Sequence, residues 1–490
     1  MRVEINIYLK NMNSELTIFV LCISSVILNE TIGYSTVGIY FVLFQIFLIF
    51  IYFIRKNYLK SWNLFLIFSL TALEFPADLA LRPQIYTFRT FSFFNISVST
   101  WILMFFFLYF YFIKGHILEV FKNVKRYEII IYLTFICSIL IGIVGNIFSD
   151  YKIQYFISDL QYYLVIFFSL YVFRVFQGDR ESYIIENIII YTLVSRSLIN
   201  FIGYSSGSLK GNYGGIVTFS YDAIDIFSIF LIFALSKNNS FLKNFIILIS
   251  WILGIISSVI FQSSGKSILF LGIVLFEIIF LILKSNSKWV RGPIIKTIFI
   301  VLITFLIIFS FNLLNYLQQE NQLLQIKMNQ AISLINLKWV NDPYILPPSP
   351  RDRVFELYNT YYYYLENPFY FLLGTGIGGY FEESKYYNPT ASSKGGYSEY
   401  EVKSRHFYNP HASPANLLLK FGIVGVIIYV WALLRILMDK NRSIFTKNIG
   451  FFVVLLFIGF SLKLALLVGY TLYTFLPKNI QTKNNVKNPE

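Results

Sequence analysis

Residues 406–436 read HFYNPHASPANLLLKFGIVGVIIYVWALLRI. A polar, turn-forming run carrying two histidines passes at Pro414 into a predominantly apolar stretch that continues to Ile436. An apolar run of this length crosses the ~30 Å hydrocarbon layer of a bilayer as a helix. The histidine-bearing run therefore stands at a membrane surface.

Working outward, the same pattern repeats along the chain. Apolar runs lie at 15–29, 34–54, 61–81, 93–113, 129–148, 155–176, 184–203, 215–235, 244–261, 267–283, 294–312, 414–436 and 448–476. The last is long and carries Lys463 near its middle, so it reads as one span or two short ones, giving thirteen or fourteen in all. Composition agrees: of 490 residues 56% are hydrophobic and 13% charged, with a mean hydropathy of +0.62. The expected fold is an all-α polytopic membrane bundle. Residues 1–312 form the bundle, 313–413 one large extracytoplasmic helical loop, 414–476 the C-terminal helices and 477–490 a basic tail. The first run follows Arg2 and Lys10 without a small-residue cleavage site and reads as an uncleaved signal anchor.

The net charge of +14 is scattered in short groups between the spans, which argues against a nucleic-acid partner and for topology signals. With the N-terminus in the cytoplasm, the inner segments hold 21 Lys and Arg, while the short outer loops hold only Arg82, Arg89, Lys152, Lys210 and Lys266. The long 313–413 segment then faces outward. Within it, 316–337 reads as an amphipathic helix and 386–410 as a polar, turn-rich part expected to be mobile. Cys22 and Cys137 both lie in apolar runs and indicate neither a disulfide framework nor a metal site.

Chemistry concentrates between Ser349 and Gly425. Ser349, Pro350 and Asp352 read as capping hydroxyl, first-turn proline and first-turn acid of a helix. Val354, Leu357, Tyr358, Tyr361, Tyr362 and Leu365 give it one apolar face, and Asn367-Pro368 ends it. Arg351 and Arg353 fall in its first turn, where guanidinium groups and free N–H groups suit phosphate oxygens. The tyrosines at 358 and 361–364 read as an interfacial aromatic belt, with sugar stacking as the other option. GTGIGG at 374–379 follows no β-α-β context and reads as a tight turn, not a dinucleotide fingerprint.

Of the three histidines, His406 and His411 are in this segment, and His411 directly precedes the span. Its ordinary pKa suits general-base work near neutrality, against the plain alternative of a surface loop histidine. No Asp-x-Asp pair occurs that could hold a nucleotide-bound divalent ion, so metal-independent chemistry and no cofactor are expected. Among charges within spans, Arg196 reads as an anion ligand or as a side chain snorkelling to the outer interface. Asp222 and Asp225 share a face and could pair with Arg196 or Lys210, and Glu74 and Asp78 with Arg82. Lys266 is either an anion contact or an interfacial lysine.

The ordered set of an arginine opening a helix (Arg351 or Arg353), ENPFYFLLGTGIGGY, a polar loop, and His411 before NLLLKFGIVGVI resembles the O-antigen ligase and O-antigen polymerase superfamily. SLKGNYGG with YDAID, and QSSGKSILFLG, extend the resemblance over roughly 196–436. Ala412 stands where the family usually has Asn, Lys266 where it has Arg, and Asp222 where it often has Asn, departures that favour the polymerase branch. The resemblance implies a bundle of the type C glycosyltransferase kind in the bacterial plasma membrane. It implies transfer of glycan from undecaprenyl diphosphate on the outer face, with a chain-length regulator as a partner. His411 is then the base and Arg351, Arg353, Arg196 and Lys266 the diphosphate ligands. Polymerisation of repeat units leads; ligation of finished glycan to lipid A core or protein is the alternative within the class. A flippase or other transporter of lipid-linked glycan is the alternative outside it, though no paired halves of the kind transporters show are visible.

Overall fold

The computed structural model describes residues 2–32, 36–71, 92–94, 96–113, 126–149, 151–176, 179–206, 210–213, 216–219, 241–257, 337–387, 397–410, 413–439 and 462–475, with isolated positions between 326 and 333 and between 447 and 455. Five helices among them are long and apolar enough to cross a membrane, namely Val37–Ile54, Ile130–Phe148, Ile153–Val175, Glu181–Gly203 and Pro414–Met438. The chain is an all-α polytopic membrane protein. The expected spans at 267–283 and 294–312, and most of 316–337, lie outside the described residues.

The contacts divide the chain into two compact units. The first comprises Met1–Ser99 and Phe176–Phe355. It contains α1 (Arg2–Ile32), α2 (Thr36–Ile54), α3 (Tyr58–Thr71), α7 (Asp179–Ser206) and α8 (Phe241–Ile256), with α1 packed on α7 and α7 on α8. Lipid offers no hydrophobic drive between such helices, so packing and interhelical hydrogen bonds hold them. A neutral cluster does this here: Asn29 Nδ2 donates to Thr71 Oγ1 at 3.1 Å, Ser25 Oγ lies 2.7 Å from the same oxygen, and Gln45 Nε2 donates to Ser25 Oγ at 3.2 Å. Two two-stranded ladders, β1 (Ser92–Phe93) with β2 (Ile96–Ser97) and β3 (Lys210–Tyr213) with β4 (Ile216–Phe219), also belong to this unit. The span expected over 215–235 therefore starts in a strand, because Ile-Val-Thr-Phe following Gly214-Gly215 favours a hairpin over a helix.

The second unit comprises Thr100–Val175 and Glu356–Glu490. It contains most of α4 (Val98–Leu108), with α5 (Arg126–Phe148), α6 (Ile153–Val175), α10 (Pro368–Leu373), α11 (Glu399–Ser404), α12 (Ser413–Met438) and α13 (Leu462–Phe475). Helix α6 packs on α13, and α12 on α5 and α10. β5 (Phe381–Glu382) pairs with β6 (His406–Phe407), and Ser398 and Glu401 form a capping box at the start of α11. Residues 397–410 of the stretch expected to be mobile are thus folded, since capping box and ladder satisfy their backbone locally.

Helix α9 (Pro348–Glu366) begins in the first unit and ends in the second. It ends ahead of Asn367-Pro368 as expected, but its start and its face differ from the sequence reading. Arg351 N–H donates to Pro347 O at 3.0 Å, so Pro348, not Pro350, takes the first helical position. The buried face is Phe355, Glu356, Asn359, Thr360, Tyr363 and Tyr364, whereas Leu357, Tyr361 and Leu365 point outward. An outward apolar stripe is what a lipid-solvated protein permits, and the buried polar groups are paired. Asn359 Nδ2 donates to Tyr386 O, its Oδ1 accepts from the N–H groups of Lys385 and Tyr386, and Tyr397 OH bonds Glu356.

Candidate active site

The glycine turn 374–379 organises the second unit. All of residues 374–380 are buried, and Gly374, Gly376 and Gly378 have φ of 78°, 82° and 75°. At Gly376 the backbone runs so close to α5 that a Cβ would stand 2.6 Å from Gly142 N and 2.8 Å from Ser138 O. Ile377 N–H donates to Ser138 O at 3.0 Å. This is a buried wedge between helices, which removes it as a surface cradle for a nucleotide.

The wedge meets α12 where that helix breaks. Gly422 has φ 62° and ψ −160°, so the expected single span 414–436 is kinked there. A kink leaves carbonyls one turn earlier without helical partners, and in a membrane they must be satisfied within the protein. They are: Leu418 O and Leu419 O accept from Tyr364 OH at 2.6 and 3.0 Å, Leu419 O also accepts from Thr375 N–H and Oγ1 at 2.7 and 2.9 Å, and Lys420 O accepts from Ser138 Oγ at 2.8 Å. Tyr363 and Tyr364 are therefore core residues with Phe381, Phe407 and Leu419, not members of an interfacial belt. Burial pushes both phenols above the ordinary tyrosine range.

Beneath the kink lies a buried ion pair. Lys420 Nζ is 2.6 Å from Asp159 Oδ2 and donates to Gly379 O at 2.7 Å; Asp159 Oδ2 also accepts from Gly378 N–H at 2.9 Å. The Asn409 amide end faces two acceptors, Asp159 Oδ1 at 2.8 Å and Tyr408 O at 3.2 Å, and hydrogen-bond chemistry assigns its nitrogen to that side as the donor to both. Sequence reading passed over both charges, although each lies within an apolar span and an ionisable group there is a functional candidate by default.

Of the residues singled out from the sequence, Arg351 and Arg353 sit half-buried in the first turns of α9, with the Arg351 guanidinium 5.9 Å from the Phe355 ring centroid. Positions two apart diverge around a helix, so the two guanidinium groups leave it in different directions. The backbone adds little, because Pro348 and Pro350 have no N–H and that of Arg351 is used. Arg196 is 1% exposed, inside the first unit rather than snorkelling to an interface. His406 stacks on Tyr380 with centroids 3.9 Å apart, its Nε2 3.6 Å from Glu382 Oε1. His411, Lys266, Asp222, Asp225, Glu74, Asp78 and Arg82 lie outside the described residues. His411 is bracketed by described neighbours, Pro410 before it and Ser413, the first residue of α12, after it.

Five membrane-length helices, one of them kinked, define a polytopic membrane protein. Residues 248–430 match the family model described as O-antigen ligase, which bears out the resemblance to the O-antigen ligase and polymerase superfamily. Searches of curated proteins and of solved structures return no match. The matched segment contains Lys266, Arg351, Arg353, the glycine turn, His411 and Lys420, and leaves Arg196 and Asp159 outside. Members of that family are membrane glycosyltransferase-like enzymes, and the family implies a lipid-linked glycan substrate.

Proposed function

We propose that the protein polymerises undecaprenyl-diphosphate-linked oligosaccharide repeat units on the outer face of a bacterial plasma membrane. The observation that carries this reading is the position of Arg351, Arg353 and His411 within the matched segment, the arginines opening a helix and the histidine directly preceding a span. In the reaction an acceptor hydroxyl oxygen attacks the anomeric carbon, the bond from that carbon to the diphosphate oxygen breaks, and the leaving diphosphate takes the electron pair. His411 accepts the hydroxyl proton. A guanidinium disperses the charge on the leaving group, the larger part of catalysis where a good leaving group is already present. Since the two arginines diverge, one of them is the ligand and the other braces the helix. An apolar cavity of about 150 Å³ in the second unit, lined by Phe135, Tyr163, Phe167, Phe421, Tyr429 and Trp431, offers a surface for an isoprenoid chain.

A ligase reading stays open, because the matching family is described as O-antigen ligase. The protein, purified with lipid-linked repeat units alone, should yield a ladder of longer lipid-linked chains. Transfer only when lipid A core is supplied makes it the ligase; neither product overturns both readings. In cells, His411→Ala should leave single repeat units on the outer face, and accumulation on the inner face would instead indicate a flippase.

A further inference from the structure

The Asp159–Lys420 pair has no part in the chemistry above. A buried ion pair can commonly be replaced by apolar side chains without loss of stability, so stability alone is a weak account of it. Its geometry is more telling. One carboxylate accepts from three separate parts of the chain: Lys420 on α12, Gly378 in the glycine turn, and Asn409 in the run entering His411. Four residues before Asp159 on the same face of α6, Tyr155 stacks flat on Tyr408, centroids 4.0 Å and planes 8° apart. Tyr408 N–H is held in turn by Glu401 Oε1 at 3.1 Å. The backbone of 408–409 is thus fixed from α6 on one side and from α11 on the other, two residues ahead of His411. Two residues beyond it the chain enters α12, which the same ion pair ties to α6 through Lys420.

We propose that Asp159, Lys420 and Asn409 form a positioning clamp that fixes residues 408–410 and α12, the described chain on either side of His411, with Asp159 and Asn409 as positioning residues for the transfer reaction. The proposal rests on the reading of His411 as the base. Asn409 is the informative position, because its change leaves the ion pair intact. The full-length protein is assayed in lipid nanodiscs with the undecaprenyl-diphosphate-linked repeat unit accumulated by a host lacking this gene. Asn409→Ala should lower kcat about 10- to 100-fold, the scale of a misplaced catalytic group, while the KM for the lipid-linked donor stays within about twofold and the thermal midpoint is unchanged. Asn409→Gln, which keeps an amide donor, should recover part of the loss. Asn409→Asp, which sets a carboxylate against Asp159, should recover none.

Full kcat in Asn409→Ala overturns the clamp, as does a loss that follows the thermal midpoint. His411→Ala measured alongside separates the two ideas. If it is inactive while Asn409→Ala is fully active, the clamp falls and the base stands; if it is active, the base reading falls and takes the clamp with it.

Discussion

Two buried polar arrangements, one in each unit, are built in opposite ways. In the first, Ser25, Asn29, Thr71 and Gln45 share neutral hydrogen bonds between helices that stay regular. In the second, a full ion pair sits where a helix is kinked and a glycine turn is driven between helices. Neutral hydroxyls and amides act as adhesive for straight helices, each contributing modestly because alternative partners exist in the unfolded chain. An ion pair has no such slack: losing one partner strands the other charge in a low dielectric. The ionic arrangement is placed where irregular backbone must be held to one geometry.

The sharpest way to break this contrast is to remove one charge. Lys420→Met should destabilise the protein by ~3–5 kcal/mol, because Asp159 is left unpaired and buried, read as loss of the folded detergent-solubilised form by thermal size-exclusion. Asp159→Leu combined with Lys420→Met should recover most of the folded protein. If the single variant is as stable as the parent, the pair is not the anchor described.

Next in size is the wedge itself. Gly376→Ala forces a side chain at φ 82° into the backbone of Gly142 and Ser138. No flexible side chain is there to yield, so a loss of at least ~1–3 kcal/mol is expected, the cost of a non-glycine residue held in a sparsely populated conformation. Thr71→Val in the first unit removes the shared acceptor of Ser25 and Asn29 and should cost only ~0.6–1.7 kcal/mol, the range for hydrogen bonds between membrane helices. A cost in Thr71→Val equal to that in Lys420→Met would erase the distinction between the two arrangements.

What could be seen in the sequence follows the same physics. The spans expected at 34–54, 129–148, 155–176, 184–203 and 414–436 were legible because hydropathy over twenty residues needs no partner, and the glycine turn because no strand precedes it. The end of α9 at Asn367-Pro368 was legible for the local reason that proline cannot continue a helix. Its buried face was not. Periodicity located the stripe of Leu357, Tyr361 and Leu365, but a protein bathed in lipid can turn such a stripe outward, and Glu356, Asn359 and Thr360 went inward with hydrogen-bond partners far along the chain. Asp159 and Lys420 were visible as charges in spans, but nothing local pairs two residues so distant in sequence. Of the candidate site, the arginines' place in a helix start was legible, and the proline that weakens its backbone as an anion site required the exact register of that start.

The smallest expected effect is a titration, and its sign follows from burial. Tyr151 OH donates to Thr375 O at 3.0 Å in the glycine turn, and burial, reinforced by neighbouring tyrosines, pushes its phenol well above the ordinary value. In the unfolded chain the same phenol titrates near pH 10. Above that pH the unfolded state has released a proton that the folded state retains, so stability is complete below about pH 10 and falls as pH rises beyond it. At pH 10 itself, where half the unfolded phenols are ionised, Tyr151 accounts for a loss of about 0.4 kcal/mol relative to pH 8. Tyr151→Phe loses the hydrogen bond at every pH but also loses this slope. The difference in thermal midpoint between parent and Tyr151→Phe should therefore be constant from pH 7 to 9 and shrink from pH 9.5 upward. A difference that grows with pH would mean that the folded state ionises first and that the turn is wet, which would undo the picture of a dry wedge in the second unit.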